Sequence, residues 1–272
     1  IIDEFTGFSM PSAQSFNINK LFSLKDTTTL ITGSAQGIGR VAAIVCGKAG
    51  SKIAITDKDY NSAKILEKEL LKANIKAKAW ELDINFEEDI IKTFKDVENE
   101  LGPLDVLINN AGTANRNPAE EMSTEDFEKI IRLNLTSLFI CSRTAAKSML
   151  RRNKGSIINI SSIMGLTGGG PAPNSPYHAS KGGVVNLTRS LANEWGPKGI
   201  RVNSIGPTYT KTRLIKELSA NKEKLQHIIE RTPLRRLAEV SEMAGGILYL
   251  ASDASSIVTG HTLMLDGGWS AI

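Results

Sequence analysis

The stretch Thr32-Gly33-Ser34-Ala35-Gln36-Gly37-Ile38-Gly39 decides how the rest of this chain is read. It joins a β-branched apolar run at residues 28–32 to a helical pattern at residues 39–48. Glycines in such a turn let the backbone bend tightly and approach a pyrophosphate with no Cβ in the way. The helix that follows aims its free N–H groups and the positive end of its dipole at the same point. A glycine-rich turn without a ligand has the same local composition. Its place between a first strand and a first helix is what makes it a phosphate cradle.

Outward from that loop the pattern repeats. Strand-like runs are expected at residues 52–56, 77–82, 106–109, 156–160, 201–205 and 262–265. Helical periodicity fills residues 60–72, 87–100, 125–150, 175–195 and 241–251. Short β-rich runs alternating with longer helices imply βαβ units, a parallel sheet and right-handed crossovers. The expected fold is therefore α/β: a doubly wound (Rossmann) parallel sheet of about seven strands with helices on both faces. No linker divides residues 25–272, which read as one domain preceded by an arm over residues 1–24. Residues 1–9, ahead of Met10-Pro11, read as a remnant of expression.

Composition narrows the classes. The chain has 272 residues, 41% of them hydrophobic and 23% charged, enough for one large core and unlike a disordered chain. No apolar run reaches the roughly 18 residues that a bilayer crossing needs, so no membrane partner is expected. The two cysteines, Cys46 and Cys141, sit in apolar helical patterns, which points to a reducing, cytoplasmic setting rather than a disulfide framework. The net charge is +4, but basic and acidic residues are mixed. The densest basic groups, Arg151-Arg152-Asn153-Lys154 and Arg235-Arg236, lack the length and interleaved aromatics of a nucleic-acid surface. His178, His227 and His261 have no ligand-spaced partners, so no metal is expected.

The spacing Gly-x-x-x-Gly-x-Gly, followed in order by Asn109-Asn110-Ala111-Gly112, Ser161-Ser162 and Tyr177-His178-Ala179-Ser180-Lys181, resembles the short-chain dehydrogenase/reductase family. The resemblance runs from about Leu21 to Trp269. It implies a nicotinamide cofactor held by Gly33, Ser34, Gln36, Gly37, Ile38 and Gly39. Asp57 ends the second strand run, 24 residues after Gly33. A carboxylate there can accept hydrogen bonds from ribose hydroxyls and repels a 2′-phosphate, which favours NAD, although a strand-end Asx turn would use the same residue. Lys58 beside it leaves NADP open. Asp83 and Ile84 match the family's adenine contacts, and Asn110, Ala111 and Gly112 its close backbone approach.

Tyr177 and Lys181 stand i, i+4 and so share a helix face. A tyrosine is too weakly acidic to act as a base at neutral pH, and a neighbouring ammonium is expected to lower its pKa. The resemblance makes Tyr177 the proton carrier and gives Lys181 the nicotinamide ribose. Ser162, preferred over Ser161, positions the substrate oxygen, and Asn134 holds a relay water. His178 lies about 100° around the helix from Tyr177 and is expected to be a packing or surface residue.

Ser162 precedes Tyr177 by 15 residues, about two more than the family's usual spacing. The extra length falls in the loop at residues 165–173, which should border the substrate. Pro207, Thr210 and Thr212 match the positions that hold the carboxamide, with Thr208 where the family usually has Gly. Residues 208–236 match the family's lid, and the C-terminal tail its dimer or tetramer interface. The Pro-Thr-Tyr and Asp-Gly-Gly-Trp variants look similar to members acting on polyols and sugars. The leading expectation is an oxidoreductase transferring hydride between NAD(H) and a secondary alcohol or ketone of that small-molecule class. The alternatives are an NADPH-dependent 3-ketoacyl reductase with an acyl-carrier-linked substrate, and a non-catalytic dinucleotide-binding scaffold.

Overall fold

The structure, a computed structural model, describes residues 15–272. The part of the expected arm at residues 1–14, including the remnant assigned to 1–9, lies outside the described residues. The rest of the arm holds a short helix, α1 (Ile18–Leu21), and ends at Leu24, which is buried against the main core.

Seven parallel strands form one sheet: β1 (Thr28–Thr32), β2 (Lys52–Asp57), β3 (Ala77–Glu81), β4 (Val106–Asn109), β5 (Gly155–Ile160), β6 (Ile200–Pro207) and β7 (Thr262–Leu265). Their spatial order is β3-β2-β1-β4-β5-β6-β7. β1 therefore pairs with β2 on one side (Thr29↔Ile53) and with β4 on the other (Leu30↔Leu107). The winding direction reverses between β1 and β4, and that reversal opens a crevice at the strands' C-terminal ends.

A parallel sheet covered on both faces needs strands that are apolar throughout, because successive side chains point to opposite faces. Every residue of β1 is buried, and its Ile31 and Leu30 divide between the two layers. Ile31 packs with Ile53, Ile55 and Ile108 under α2 (Gly37–Lys48), α3 (Tyr60–Lys72) and α10 (Met243–Ala251). Leu30 packs with Ala54, Leu107 and Val202 under α4 (Glu87–Leu101), α6 (Ser137–Arg152) and α7 (Ser175–Trp195). A third cluster, built on Ile163, Met164, Tyr209, Ile215, Ile228 and Trp269, lies beyond the sheet edge. It carries α8 (Lys216–Ala220) and α9 (Lys222–Arg231).

The expected single helix over residues 125–150 is interrupted. It consists of α5 (Thr124–Ile131), a wider π turn at Arg132–Thr136, and α6. The Ser137 N–H and hydroxyl both reach back to the Arg132 carbonyl, the latter at 2.9 Å, which closes the five-residue turn. Periodicity does not register such a bulge, because one extra residue only rotates the apolar stripe.

Candidate active site

A cavity of about 700 Å³ lies over the C-terminal ends of β1, β4, β5 and β6, in the size range of small-molecule sites. One end is built from the glycine loop. Gly33 has φ +63°, and a Cβ there would stand 2.9 Å from the Ala111 Cα. Gly37 has φ +56° and opens α2, whose N-cap Gln36 makes no side-chain capping bond. The first-turn N–H groups therefore remain available to an anion. Asn110 fixes the neighbouring strand end, its Nδ2 donating to the carbonyls of Thr32 (3.1 Å) and Gly33 (2.7 Å). Gly33, Gln36, Gly37, Ile38, Asp57, Lys58, Asp83, Ile84, Asn110, Ala111 and Gly112 all line the cavity.

Two loop residues do not. Ser34 is fully buried and bonds β2: its Oγ accepts from Thr56 N at 3.0 Å and donates to Thr56 O at 3.3 Å. Gly39 is a packing position, where a Cβ would overlap Asn110 and the Gly33 carbonyl. Ser34 thus ties the loop to β2, and Gly39 packs its Cα on Asn110 while its N–H belongs to the free first turn of α2.

Asp57 makes the Asx turn and also lines the cavity. Its Oδ1 accepts from Asp59 N at 3.0 Å, the Asx turn, and its Oδ2 accepts from Ala35 N at 3.0 Å. A carboxylate has about four acceptor sites, so further donors can still bind. Asp83 likewise accepts from Asn85 N and Nδ2, both at 2.9 Å, while it lines the cavity.

At the other end, Ser161, Ser162, Tyr177 and Lys181 meet. The two serines differ in what they touch. Ser162 hydrogen-bonds the Tyr177 phenol and its Oγ accepts from Met164 N at 3.1 Å, whereas Ser161 Oγ donates to the Lys181 carbonyl at 3.1 Å. Lys181 is buried; its Nζ donates to the Ile160 carbonyl at 2.6 Å and stands 5.6 Å from the Tyr177 ring centroid. Burial pulls the Lys181 pKa down to about 8. The Tyr177 phenol departs from expectation. Burial pushes its pKa up, and the Ser162 hydrogen bond and the Arg116 charge only partly oppose this. Desolvation penalises the phenolate more than the nearby groups stabilise it.

Asn134 is fully buried in the π turn behind this group. Its Nδ2 donates to the Thr113 carbonyl (2.8 Å) and Ser180 Oγ (3.1 Å), and its Oδ1 accepts from Thr113 N at 2.9 Å. Gly112 lets the two meet: a Cβ there would stand 3.1 Å from Asn134 Oδ1 and 3.6 Å from Lys181 Nζ. Pro207, Thr210 and Thr212 line the roof, and Thr212 Cγ2 comes within 3.5 Å of the place of a Gly37 Cβ. The roof thus lies close beside the glycine loop.

Several cavity residues escaped the sequence reading. Arg116 donates to the Leu214 carbonyl at 2.9 Å and acts electrostatically on both Tyr177 and Tyr209. Arg213 lines the cavity and acts on Asp59, near the Asp57 end. His178, expected to be a packing or surface residue, lines the cavity together with Asn174. The loop between β4 and α5 has no periodicity to locate Arg116, and the i−4 bond that turns His178 is invisible at sequence level. Among the described residues, no three His, Cys, Asp or Glu stand where they could hold a metal, and no helix is long and apolar enough to cross a membrane.

Glycines that admit a pyrophosphate, an uncapped helix start and a roof over Lys181 form one continuous trough that fits an extended dinucleotide. A doubly wound sheet with this trough and a Ser-Tyr-Lys group defines a nicotinamide-dependent oxidoreductase. More narrowly, the chain belongs to the short-chain dehydrogenase/reductase family. Residues 33–270 match the family model described as Enoyl-(Acyl carrier protein) reductase. The chain is 37% identical over 251 residues to 5-keto-D-gluconate 5-reductase of Escherichia coli K12, covering 92% of this chain and 98% of that protein. It is 34% identical over 246 residues to a 3-oxoacyl-(acyl-carrier-protein) reductase of Aquifex aeolicus, covering 90% and 98%. The crystal structure of a gluconate 5-dehydrogenase from Burkholderia cenocepacia J2315, in complex with NADP and tartrate, superposes with a TM-score of 0.90 at 31% identity, covering 94% of this chain and all of that one.

Proposed function

We propose that this enzyme interconverts a hydroxyl and a ketone on a sugar acid, the class named for the gluconate relatives, with NAD(H) as the preferred cofactor. The observation that carries the substrate class is Arg116, a cation placed close enough to Tyr177 to act on its phenol. An acyl chain gains nothing from a guanidinium there, whereas a carboxylate pairs with one bidentately.

When bound, the nicotinamide supplies or takes up the hydride. The remaining chemistry belongs to the chain. Ser162 and Tyr177 hold the substrate oxygen between two hydroxyls. Tyr177 passes a proton to the carbonyl oxygen in reduction and takes one from the hydroxyl in oxidation, which balances the hydride and leaves alcohol or ketone. A phenol that burial keeps protonated is an acid, so reduction suits neutral pH and oxidation gains as pH rises. Lys181 fixes the ribose and Tyr177 together, with Asn134 bracing the backbone behind them. The roof residues exclude water from the transfer.

NAD preference rests on the Asp57 carboxylate at the adenosine end. NADP has a specific observation too: Lys58 and Arg213 are cations at that same end. The experiment is nicotinamide absorbance with NADH and NADPH in parallel, against 5-keto-D-gluconate and acetoacetyl thioesters. Turnover of the keto acid that falls about 1,000-fold in Tyr177→Phe, with cofactor affinity little changed, is expected. Turnover of the thioester alone overturns the substrate class, and use of NADPH alone overturns the role given to Asp57.

A further inference from the structure

Tyr209 stands in the cavity wall with every part but one committed. Its carbonyl accepts from Ala238 N at 3.1 Å, and Lys211 N donates to the Ala238 carbonyl at 2.9 Å, so the backbone is pinned on both sides. Its ring is buried and meets Trp269 edge to face, with centroids 5.2 Å apart. Trp269 is itself fully buried, which holds the phenol in place. The hydroxyl is the part left over. It makes no hydrogen bond among the described residues, yet it is not one of their sealed unpartnered atoms. It therefore opens into the cavity that Tyr209 lines.

The surroundings of that hydroxyl are cationic. Arg116 acts on the phenol from the cavity wall, and Arg231 acts on it from α9, where its guanidinium stacks on Trp269. Three carboxylates line the cavity, Asp57 and Asp83 at the adenosine end and Glu217 exposed on α8, and none of them acts on Tyr209. Burial keeps the phenol protonated and so a donor. Arg116 can only donate, and its bond to the Leu214 carbonyl leaves further N–H groups to spend. Tyr177 acts on Tyr209 without a hydrogen bond between the two phenols. The cavity thus carries two separate donor groups, Ser162 with Tyr177 and Tyr209 with Arg116.

We infer that the Tyr209 hydroxyl and the Arg116 guanidinium together hold the substrate's carboxylate, leaving Ser162 and Tyr177 to the ketone oxygen. A carboxylate accepts and never donates, so a set of donors satisfies it. Hydrogen bonds to an ionised group are about twice as strong as those to a neutral one, so a neutral CH2OH in the same place gains less. The inference rests on the sugar-acid reading and adds a second anchor to it. Arg116 supplies the charge, and the pinned phenol sets where the carboxylate sits.

Two ketones test this. 5-Keto-D-gluconate and L-sorbose share their carbon chain, ketone and neighbouring hydroxyls, and differ only in a carboxylate against CH2OH. For the intact enzyme, kcat/KM should favour the keto acid by about 100-fold, a factor of about ten from each anchor. Tyr209→Phe keeps the ring on Trp269 and removes the hydroxyl alone. It should narrow the ratio about tenfold, mainly through KM. D-Gluconate and D-glucitol titrated into the enzyme–NADH complex, read by NADH fluorescence, should show the same narrowing in affinity without turnover. A preference that Tyr209→Phe leaves unmoved overturns the inference and leaves the sugar-acid reading with Arg116. An equal loss on both ketones makes the hydroxyl a structural group and also overturns it. An intact enzyme with no preference for the acid, in turnover or in binding, overturns the sugar-acid reading and this inference with it.

Discussion

The two ends of the cavity are walled with different materials. At the glycine loop the wall is backbone: the Ala111 Cα faces Gly33. At the far end they are tips of side chains: Tyr209 and Met164 line the cavity and face Gly170 in the adjoining loop, where the Arg231 guanidinium in turn faces Gly169. Backbone in the middle of a parallel sheet moves only with the sheet. A guanidinium moves by rotating its own bonds. The same residue type thus has opposite tolerances, and the cofactor end is fixed in shape while the substrate end is open to retuning.

The sharpest way to break this comparison is Gly33→Ala. An alanine at φ +63° is strained, and its Cβ would force the Ala111 backbone away. Strain and overpacking together should cost about 3 kcal/mol or more. At this chain length that lowers Tm by about 6 °C or more in a thermal melt. Affinity for NADH, read by its fluorescence, should fall with it. A variant that melts within 2 °C of the parent would show that the cofactor end is no stiffer than the lid.

That contrast also explains what the sequence disclosed. Gly33, Gly37, Asp57, Tyr177 and Lys181 sit near strand and helix ends, the resemblance to the family marked them there, and the structure brings them to one cavity. The doubly wound sheet was legible from its pattern: seven apolar runs could only be buried in parallel. Ser34 and Gly39 share the loop but do not line the cavity, and local spacing does not say which way a loop residue faces. Arg116 and His178 were illegible for a deeper reason. Their position depends on a loop folded back 98 residues away onto Leu214, and on one side-chain bond to the Asn174 carbonyl. The raised Tyr177 pKa follows from burial, a quantity that only the packed structure holds.

Lys181 joins the two ends, and its cost can be measured. Burial brings its pKa from 10.5 to about 8. Between those values the native state holds fewer protons than the unfolded chain, so stability rises with pH across that window. Lys181→Met removes the buried charge and also the bond to the Ile160 carbonyl. The net effect at pH 7 should be a gain of about 1–2 kcal/mol, with catalysis lost. Denaturant titrations at pH 7 and pH 10 check this: the advantage of the variant should shrink at the higher pH. Parallel pH slopes in the two proteins would show that Lys181 is solvated rather than buried, and that the stiff end does not reach as far as the catalytic helix.

The smallest effect belongs to Gly169→Ala. Gly169 has no positive φ, so an alanine meets no backbone strain there. Its Cβ would overlap the Arg231 guanidinium, which stacks 4.9 Å from the Trp269 ring centroid and acts on Tyr209. Arg231 is half-buried on α9 and can swing aside at the loss of that stacking, about 0.5–1 kcal/mol. Stability should therefore change by less than about 1 kcal/mol, while KM for the ketone shifts a few-fold and affinity for NADH stays constant. Steady-state kinetics beside a thermal melt read both at once. A destabilisation matching that of Gly33→Ala would make Arg231 part of a rigid wall, and the two added residues of the 165–173 loop would then be a structural brace rather than the adjustable side of the pocket.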